Sequence, residues 1–379
     1  HRVGVTLWQA IYLSLGSGIL LLFAAACGEA LFSLAGHEPE VRRQEIIYYG
    51  ILTSGGVWAL LGASLSCFFS GRGQTRLLML ASFVGVAINI PLDYYLIFGI
   101  PALPSLGFEG IAPMGIAGAA YATVTGWIVN LLILAALIFT PRNERKYRIW
   151  SGWRPEVSLL KRMVRFGFPS GANSFMELLT STIFVFVAGR LGSHALAATN
   201  ITFSINGVAF LPALGLNIGA SVLVGQAMGR NNPEQAEKAA HSSLHIALFY
   251  MTLMALVFVT VPGVLMRLFR PSGVDPAAAA DIAATGVVLL RYVAFYSIMD
   301  AWSLIYFGSL KGAGDTWFVM WSMTGACVCM LTGAYLANRF FPGSLHALWL
   351  VFTIVVSGLA GSAALRFYFG PWRKLRLIH

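Results

Sequence analysis

The sequence predicts an all-α polytopic membrane protein, with ten transmembrane helices arranged as two parallel-repeat bundles of four and six. Three observations predict it: a charge-poor composition, ten long apolar runs, and a glycine-rich turn that recurs between them. Of 379 residues, 58% are hydrophobic and 11% charged, where a soluble domain carries about a quarter. So few charges cannot cover the surface of a chain this long, and the solvent around most of it must be lipid. The net charge of +10 does not indicate nucleic acid, because the basic residues sit in short gaps between apolar runs and no nucleic-acid-binding motif accompanies them. Cys27, Cys67, Cys327 and Cys329 lie inside apolar runs without C-x-x-C spacing. They read as small packing residues, without redox or metal chemistry.

A helix needs about 20 apolar residues to cross a hydrocarbon core of ~30 Å. The runs 7–27, 46–69, 75–98, 115–140, 166–189, 199–224, 242–265, 285–310, 316–338 and 346–369 meet that requirement. Lipid offers no hydrogen bonds to the backbone, so these runs must be helices, and none shows the short alternation of barrel strands. Eighteen of the 25 Lys and Arg fall on one side of the alternating connections, Lys311 among them. The positive-inside rule makes that side cytoplasmic, with His1, the 141–165 linker and the C-terminus. The linker is basic, contains Pro141 and Pro155, and divides the span group 1–140 from 166–379. Its segment Leu159–Phe166 suggests a short interfacial helix.

Gly71-Arg72-Gly73-Gln74-Thr75 recurs as Gly312-Ala313-Gly314-Asp315-Thr316, and Met79 matches Met320, an offset of 241. Under this offset 7–27 pairs with 242–265, 46–69 with 285–310, 75–98 with 316–338, and 115–140 with 346–369. An even number of spans separates equivalent helices, so both repeats share one orientation, the parallel plan of many transporters with substrate at the repeat interface. Spans 166–189 and 199–224 have no partner. The expectation is a twelve-helix plan whose first two helices, roughly 75 residues, precede this sequence. A ten-helix protein is the rival view.

Asp93, Glu177, Arg291 and Asp300 fall within spans. A central charge costs at least ~2.5–3.5 kcal/mol on insertion scales, so such residues are functional candidates by default. Each acid has a polar companion four residues upstream, on the same helix face: Asn89, Asn173 and Tyr296. An oxygen-rich cluster without a midplane cation suits Na⁺ or a proton. Pro91 bends its helix and frees a carbonyl that could join the site. The structural alternative is that these acids are neutralised by neighbouring helices. Arg291 lies nine residues from Asp300, on the opposite face, and snorkels outward. Gly115, Gly118, Gly215 and Gly219, at helical spacing, read as close-packing positions. The Met and Phe content is not a specific signal.

The runs Asn89–Gly99 (NIPLDYYLIFG), Gly115–Thr123 (GIAGAAYAT), Phe168–Glu177 (FPSGANSFME), Gly219–Asn232 (GASVLVGQAMGRNN) and Met299–Thr316, with MDA and GSLKGAGDT, resemble the multidrug and toxic compound extrusion (MATE) family. The resemblance covers essentially the whole chain. It implies a twelve-helix fold of two six-helix lobes, here helices 3–6 in 1–140 and 7–12 in 166–379. It also implies antiport of cationic, amphipathic drugs against Na⁺ or H⁺. By matching motifs, Glu177 and Asp300 align with the carboxylates of a cation site in the second lobe, and Tyr296 with a companion ligand. Asn89 and Asp93 resemble the first-lobe site residues, with Thr123 as a candidate to join them. The family's acidic residue on helix one lies outside this sequence, which leaves open which lobe couples. No cofactor is expected beyond the coupling ion, no metal beyond Na⁺ at these residues, and no partner beyond small molecules and the bilayer, the protein acting as a monomer in the cell membrane.

Two other readings compete. A flippase for lipid-linked saccharides would line its cleft with cations for pyrophosphate, whereas the charges within these spans are mainly acidic. An intramembrane aspartyl protease is suggested by Gly312-Ala313-Gly314-Asp315 and by Pro-Ala-Leu at Pro101 and Pro212. The motif order is reversed, and no Tyr-Asp dipeptide supplies the second carboxylate of a dyad. The chain is therefore not expected to be an enzyme.

Overall fold

In hydrocarbon, a helix is the backbone conformation that satisfies its own hydrogen bonds within one segment, and long apolar stretches of this chain all adopt it. A computed structural model describes residues 2–33, 38–100, 110, 112–269 and 275–375. Among these, the first unit contains α1 (Arg2–Ala26), α2 (Gly28–Ser33), α3 (Pro39–Ser70), α4 (Thr75–Phe98), α5 (Ile116–Ile138) and α6 (Pro141–Tyr147). Then come α7 (Val157–Arg190), α8 (Ser193–Gly229), α9 (Pro233–Thr260) and α10 (Pro262–Leu268). The chain finishes with α11 (Pro276–Gly312), α12 (Thr316–Phe340), α13 (Leu345–Phe369) and a 3₁₀ turn at Pro371–Lys374. Ten of these helices are long and apolar enough to cross a membrane, one for each predicted run. His1 and the Pro-Ala-Leu copy at Pro101 lie outside the described residues.

Several helix starts follow from side-chain capping. Asn232 accepts a hydrogen bond from the Gln235 amide at 2.9 Å, Asp275 from Ala277 and Ala278, and Ser344 from Ala347, each satisfying orphan donors of the first turn. Proline follows directly in α9 and α11, where a missing N–H costs nothing. The run 242–265 is not one helix, however. Val261 turns to φ −127° ahead of Pro262, whose ring disfavours helical backbone at the preceding residue, so α9 stops and α10 begins. A second difference concerns Leu159–Phe166, which is no separate interfacial helix but the opening turns of the 34-residue α7. The α4 helix runs unbroken through Pro91.

The chain divides into two compact units, 1–163 and 164–379. In the first, α3 packs on α1 and α5, and α4 on α5. Its core gathers Leu7, Leu65, Phe68, Phe69, Leu134 and Ile149. A Cβ on Gly118 would lie 2.4 Å from the Leu96 carbonyl oxygen, so glycine is what lets α5 approach the end of α4. In the second unit α11 is central, packing on α8, α9 and α13. Phe184 lies against Phe203, Trp349 and Phe352, joining α7, α8 and α13. Large apolar side chains such as Leu20, Phe23, Phe83, Ile90, Phe249 and Tyr335 point outward, as a lipid solvent requires. Cys27, Cys67 and Cys329 are exposed, and only Cys327 is a core packing residue, which corrects the reading of all four as such. Gly215 and Gly219 meet no neighbouring atoms where a Cβ would stand, so they are not close-packing positions within their unit, and Gly115 serves a turn at φ +54°.

The repeated turn closes through the same two hydrogen bonds in both units. Gly73 N–H donates to the Ser70 carbonyl and Gln74 N–H to Phe69; at offset 241, Gly314 donates to Lys311 and Asp315 to Leu310. Gly73 and Gly314 take φ of 72° and 87°, the left-handed region that glycine enters freely. α4 and α12 then start at Thr75 and Thr316, the same offset. The offset fails at the fourth pair, because α5 begins at Ile116 and α13 already at Leu345.

Candidate functional site

The second unit holds a half-open cavity of about 650 Å³ walled by α7, α8, α11, α12 and α13. Its polar lining comes chiefly from two helices. On α7, Asn173 and Glu177 are one turn apart; on α11, Tyr296, Asp300, Ser303 and Lys311 recur at spacings of four, three and eight residues, one face of a helix. Asn206 and Asn217 face them from α8, and Phe203, Phe210, Phe307 and Phe352 supply an apolar wall. This mixture of a few convergent polar groups and aromatic surface suits an amphipathic small molecule.

Why these side chains meet here follows from how α11 is held. A Cβ on Gly308 would lie 2.7 Å from the Asn217 carbonyl oxygen, and one on Gly312 only 2.2 Å from that of Ser221. Both glycines therefore let α8 and α11 touch backbone to backbone. Asn217 Nδ2 donates to the Leu304 carbonyl at 2.5 Å, a further tie between the same helices. Beyond the turn, Asp315 is nearly buried and accepts from Arg366 Nε at 2.8 Å, which joins the start of α12 to α13. The Gly-Ala-Gly-Asp motif is thus a turn closed by an ion pair, and its aspartate is engaged structurally.

Within the cavity, Ser303 Oγ lies 2.6 Å from Asp300 Oδ1 and 3.0 Å from the Asp300 carbonyl oxygen, and can donate its one proton to either. Lys311 Nζ donates to Asn173 Oδ1 at 2.7 Å. Glu177 is open to the cavity. The Tyr296 hydroxyl is buried, 3% exposed as a residue, and has no hydrogen-bond partner. Neither Glu177 nor Asp300 forms an ion pair with a described residue. Neither acid is therefore locked in an ion pair, although Lys311 acts on Glu177 across the same cavity, and carboxylates set in a largely apolar lining attract a cation.

All four residues expected in the second unit, Asn173, Glu177, Tyr296 and Asp300, line this one cavity. The cavity also holds a cation away from the span centre. Lys311 belongs to the last turn of α11 rather than to a connection, and its side chain turns into the cavity. The spacing held the signal, since eleven residues from Asp300 is close to three full turns. Ser303, three residues after Asp300, was missed for want of the same count.

The first-unit set is arranged differently. Asn89 and Asp93 lie on α4 and Thr123 on α5, and no hydrogen bond links them. Asn89 packs over Gly126, where a Cβ would come within 3.3 Å of its own Cβ, and its buried amide nitrogen has no hydrogen-bond partner. Thr123 donates to the Ala119 carbonyl of its own helix at 3.0 Å. Asp93 is half-buried and pairs with no described residue. Arg291 is exposed and off the cavity lining, as its helix face requires.

The MatE family model matches residues 1–95 and 169–336. The multidrug resistance protein NorM of Burkholderia vietnamiensis is 30% identical over 376 residues, which span 97% of this chain and 78% of that protein. A probable multidrug resistance protein NorM of Mesorhizobium japonicum is 30% identical over 317 residues, 82% of this chain and 64% of its own length. Among solved structures, an outward-facing multidrug resistance MATE family transporter of the MOP superfamily superposes with a TM-score of 0.78 at 21% identity, covering 100% of this chain and 84% of that one. A MOP superfamily transporter from Pyrococcus furiosus gives 0.80 at 21% identity, with 97% and 82% covered. At these identities the structural likeness establishes the fold.

Proposed function

The chain belongs to the MatE family of multidrug efflux transporters, which are not enzymes, and from that membership we propose that it is a secondary antiporter. It exports organic, cationic amphipathic compounds in exchange for Na⁺ or H⁺ by alternating access. The observation that carries this reading is that Glu177 and Asp300 share one cavity, neither in an ion pair with a described residue, and the remaining wall is largely apolar and aromatic. Such carboxylates gain from a visiting cation what they lose by leaving water. Asn173, Tyr296 and Ser303 add neutral oxygens of the kind that Na⁺ takes as ligands. Asn89, Asp93 and Thr123 form a second candidate ion-handling set in the first unit.

Ion binding neutralises the acidic pair and favours one access state, while the drug favours the other. Each ligand can shift the equilibrium only by its difference in affinity for the two states, and coupling is the product of those differences. The protein acts as a monomer in the cell membrane, with the basic 141–165 segment and the C-terminus cytoplasmic. The flippase reading is not favoured: pyrophosphate calls for several cations, and the cavity offers one lysine already donating to Asn173.

The test is dye efflux from proteoliposomes, driven separately by imposed sodium and proton gradients. Glu177→Gln and Asp300→Asn are expected to abolish gradient-driven efflux while leaving the protein folded and monodisperse. Normal coupled transport by both variants would refute their role.

A further inference from the structure

Lys311 is the cation of the cavity, and its placement is unusual. Its ammonium donates to the Asn173 amide oxygen at 2.7 Å, yet it forms no ion pair with Glu177 or Asp300, which line the same space. An amide oxygen by itself offers an ammonium little that water does not. The nearby Glu177 carboxylate is what makes this position favourable. Asn173 stands one helical turn before Glu177, so the atom that holds the lysine borders the carboxylate most open to the cavity. The root of the side chain is rigid, because the Lys311 carbonyl accepts from Gly314 N–H and neighbouring Gly312 abuts the Ser221 backbone. Its four-carbon stem is not rigid, and the ammonium can swing about that fixed root. In the other copy of the turn the equivalent position is Ser70, so this device is peculiar to the second unit.

We propose that Lys311 is a tethered competitor of the coupling cation. With the ion absent, the ammonium held on Asn173 occupies part of the ion's place and offsets the charge of Glu177. Ion entry displaces it and takes over the Asn173 oxygen. Lys311 is thus a positioning residue that sets the ion affinity and keeps the empty site from carrying an uncompensated Glu177 charge. This inference rests on the antiport reading and adds to it a fixed internal cation.

The experiment uses the whole chain in proteoliposomes, with efflux of ethidium driven by an imposed Na⁺ or H⁺ gradient, and reads the ion concentration giving half-maximal rate. Lys311→Met is expected to lower that concentration on the order of tenfold, since a like charge beside the ion site is removed. Lys311→Arg should restore a value near wild type. Asn173→Leu should move it the other way, because the ion loses a ligand and the ammonium released from the amide is free to pair with Glu177. A merely structural role would weaken ion binding in both Lys311→Met and Asn173→Leu. An unchanged or raised ion requirement in Lys311→Met, or a shift of both variants in one direction, overturns the proposal while leaving antiport intact. Wild-type efflux indifferent to both gradients overturns the antiport reading and this inference with it. If Lys311→Met is not monodisperse, Lys311→Gln, which keeps a donor without the charge, is read by the same criterion.

Discussion

Replacing Gly312 with alanine tests the claim that α8 and α11 meet backbone to backbone. The added Cβ would lie 2.2 Å from the Ser221 carbonyl oxygen, so one helix must retreat by about 1 Å to reach ordinary contact in an interior with no slack. The obstacle is backbone, which cannot rotate aside as a flexible side chain would. Overpacking of this kind costs typically 1–3 kcal/mol, against a gain of up to ~1 kcal/mol from replacing glycine within a helix. A net loss of about 2 kcal/mol is expected, because so short an approach lies toward the costly end of that range. The matched control is Gly219→Ala on α8, where a Cβ meets nothing within 4 Å; there only the helix-propensity gain remains. Thermal unfolding of both variants in detergent, followed by loss of the monodisperse peak, should place Gly312→Ala several degrees below wild type and Gly219→Ala at or above it. Equal melting of the two would refute the packing argument.

The remaining predictions follow the same logic. Asp315→Asn leaves the Arg366 guanidinium without its carboxylate, and because Arg366 is about a third exposed the loss should be about 1–2 kcal/mol rather than the larger cost of a deeply buried pair; thermal unfolding reads it, and an unchanged midpoint would show the pair to be incidental. Phe184→Ala removes a fully buried ring that touches Phe203, Trp349 and Phe352 and should cost about 3 kcal/mol, visible as a lowered melting point. Glu144, in the segment after α5, accepts from the Ser151 hydroxyl and the Trp150 amide, and these bonds hold its carboxyl below the ordinary range. A depressed carboxyl contributes its bonds at neutral pH and loses them as the pH falls through its folded value, so hydrogen-exchange protection of the Trp150 amide should fall once the pH drops below the ordinary carboxylate range. In Glu144→Gln that protection should no longer depend on pH, and a persistent dependence would assign it to another group.

How much of this molecule is legible in its sequence depends on how local the governing rule is. Each of the ten spans was readable because a helix in lipid satisfies its own hydrogen bonds, so length and apolarity within one segment decide. The repeated turn was readable because glycine at a left-handed φ is a single-residue requirement, met at Gly73 and Gly314. Asn173, Glu177, Tyr296 and Asp300 stood out because polar groups in hydrocarbon are costly wherever they occur. Lys311 was harder to place: three turns from Asp300 it shares the cavity face, but a lysine at a helix end can equally turn outward to water.

Composition and periodicity by themselves determined that this is a helical membrane protein, where its helices lie, and which acids lie within its spans. Only the tertiary structure decided which helices touch through Gly118, Gly308 and Gly312, that the Val261–Pro262 step ends a helix, and that Asn173 and Lys311 share a hydrogen bond across 138 positions of chain. The reason is physical. Crossing a bilayer imposes its cost on each segment separately, whereas a contact between helices depends on their separation to a fraction of an ångström, and no single segment carries that distance.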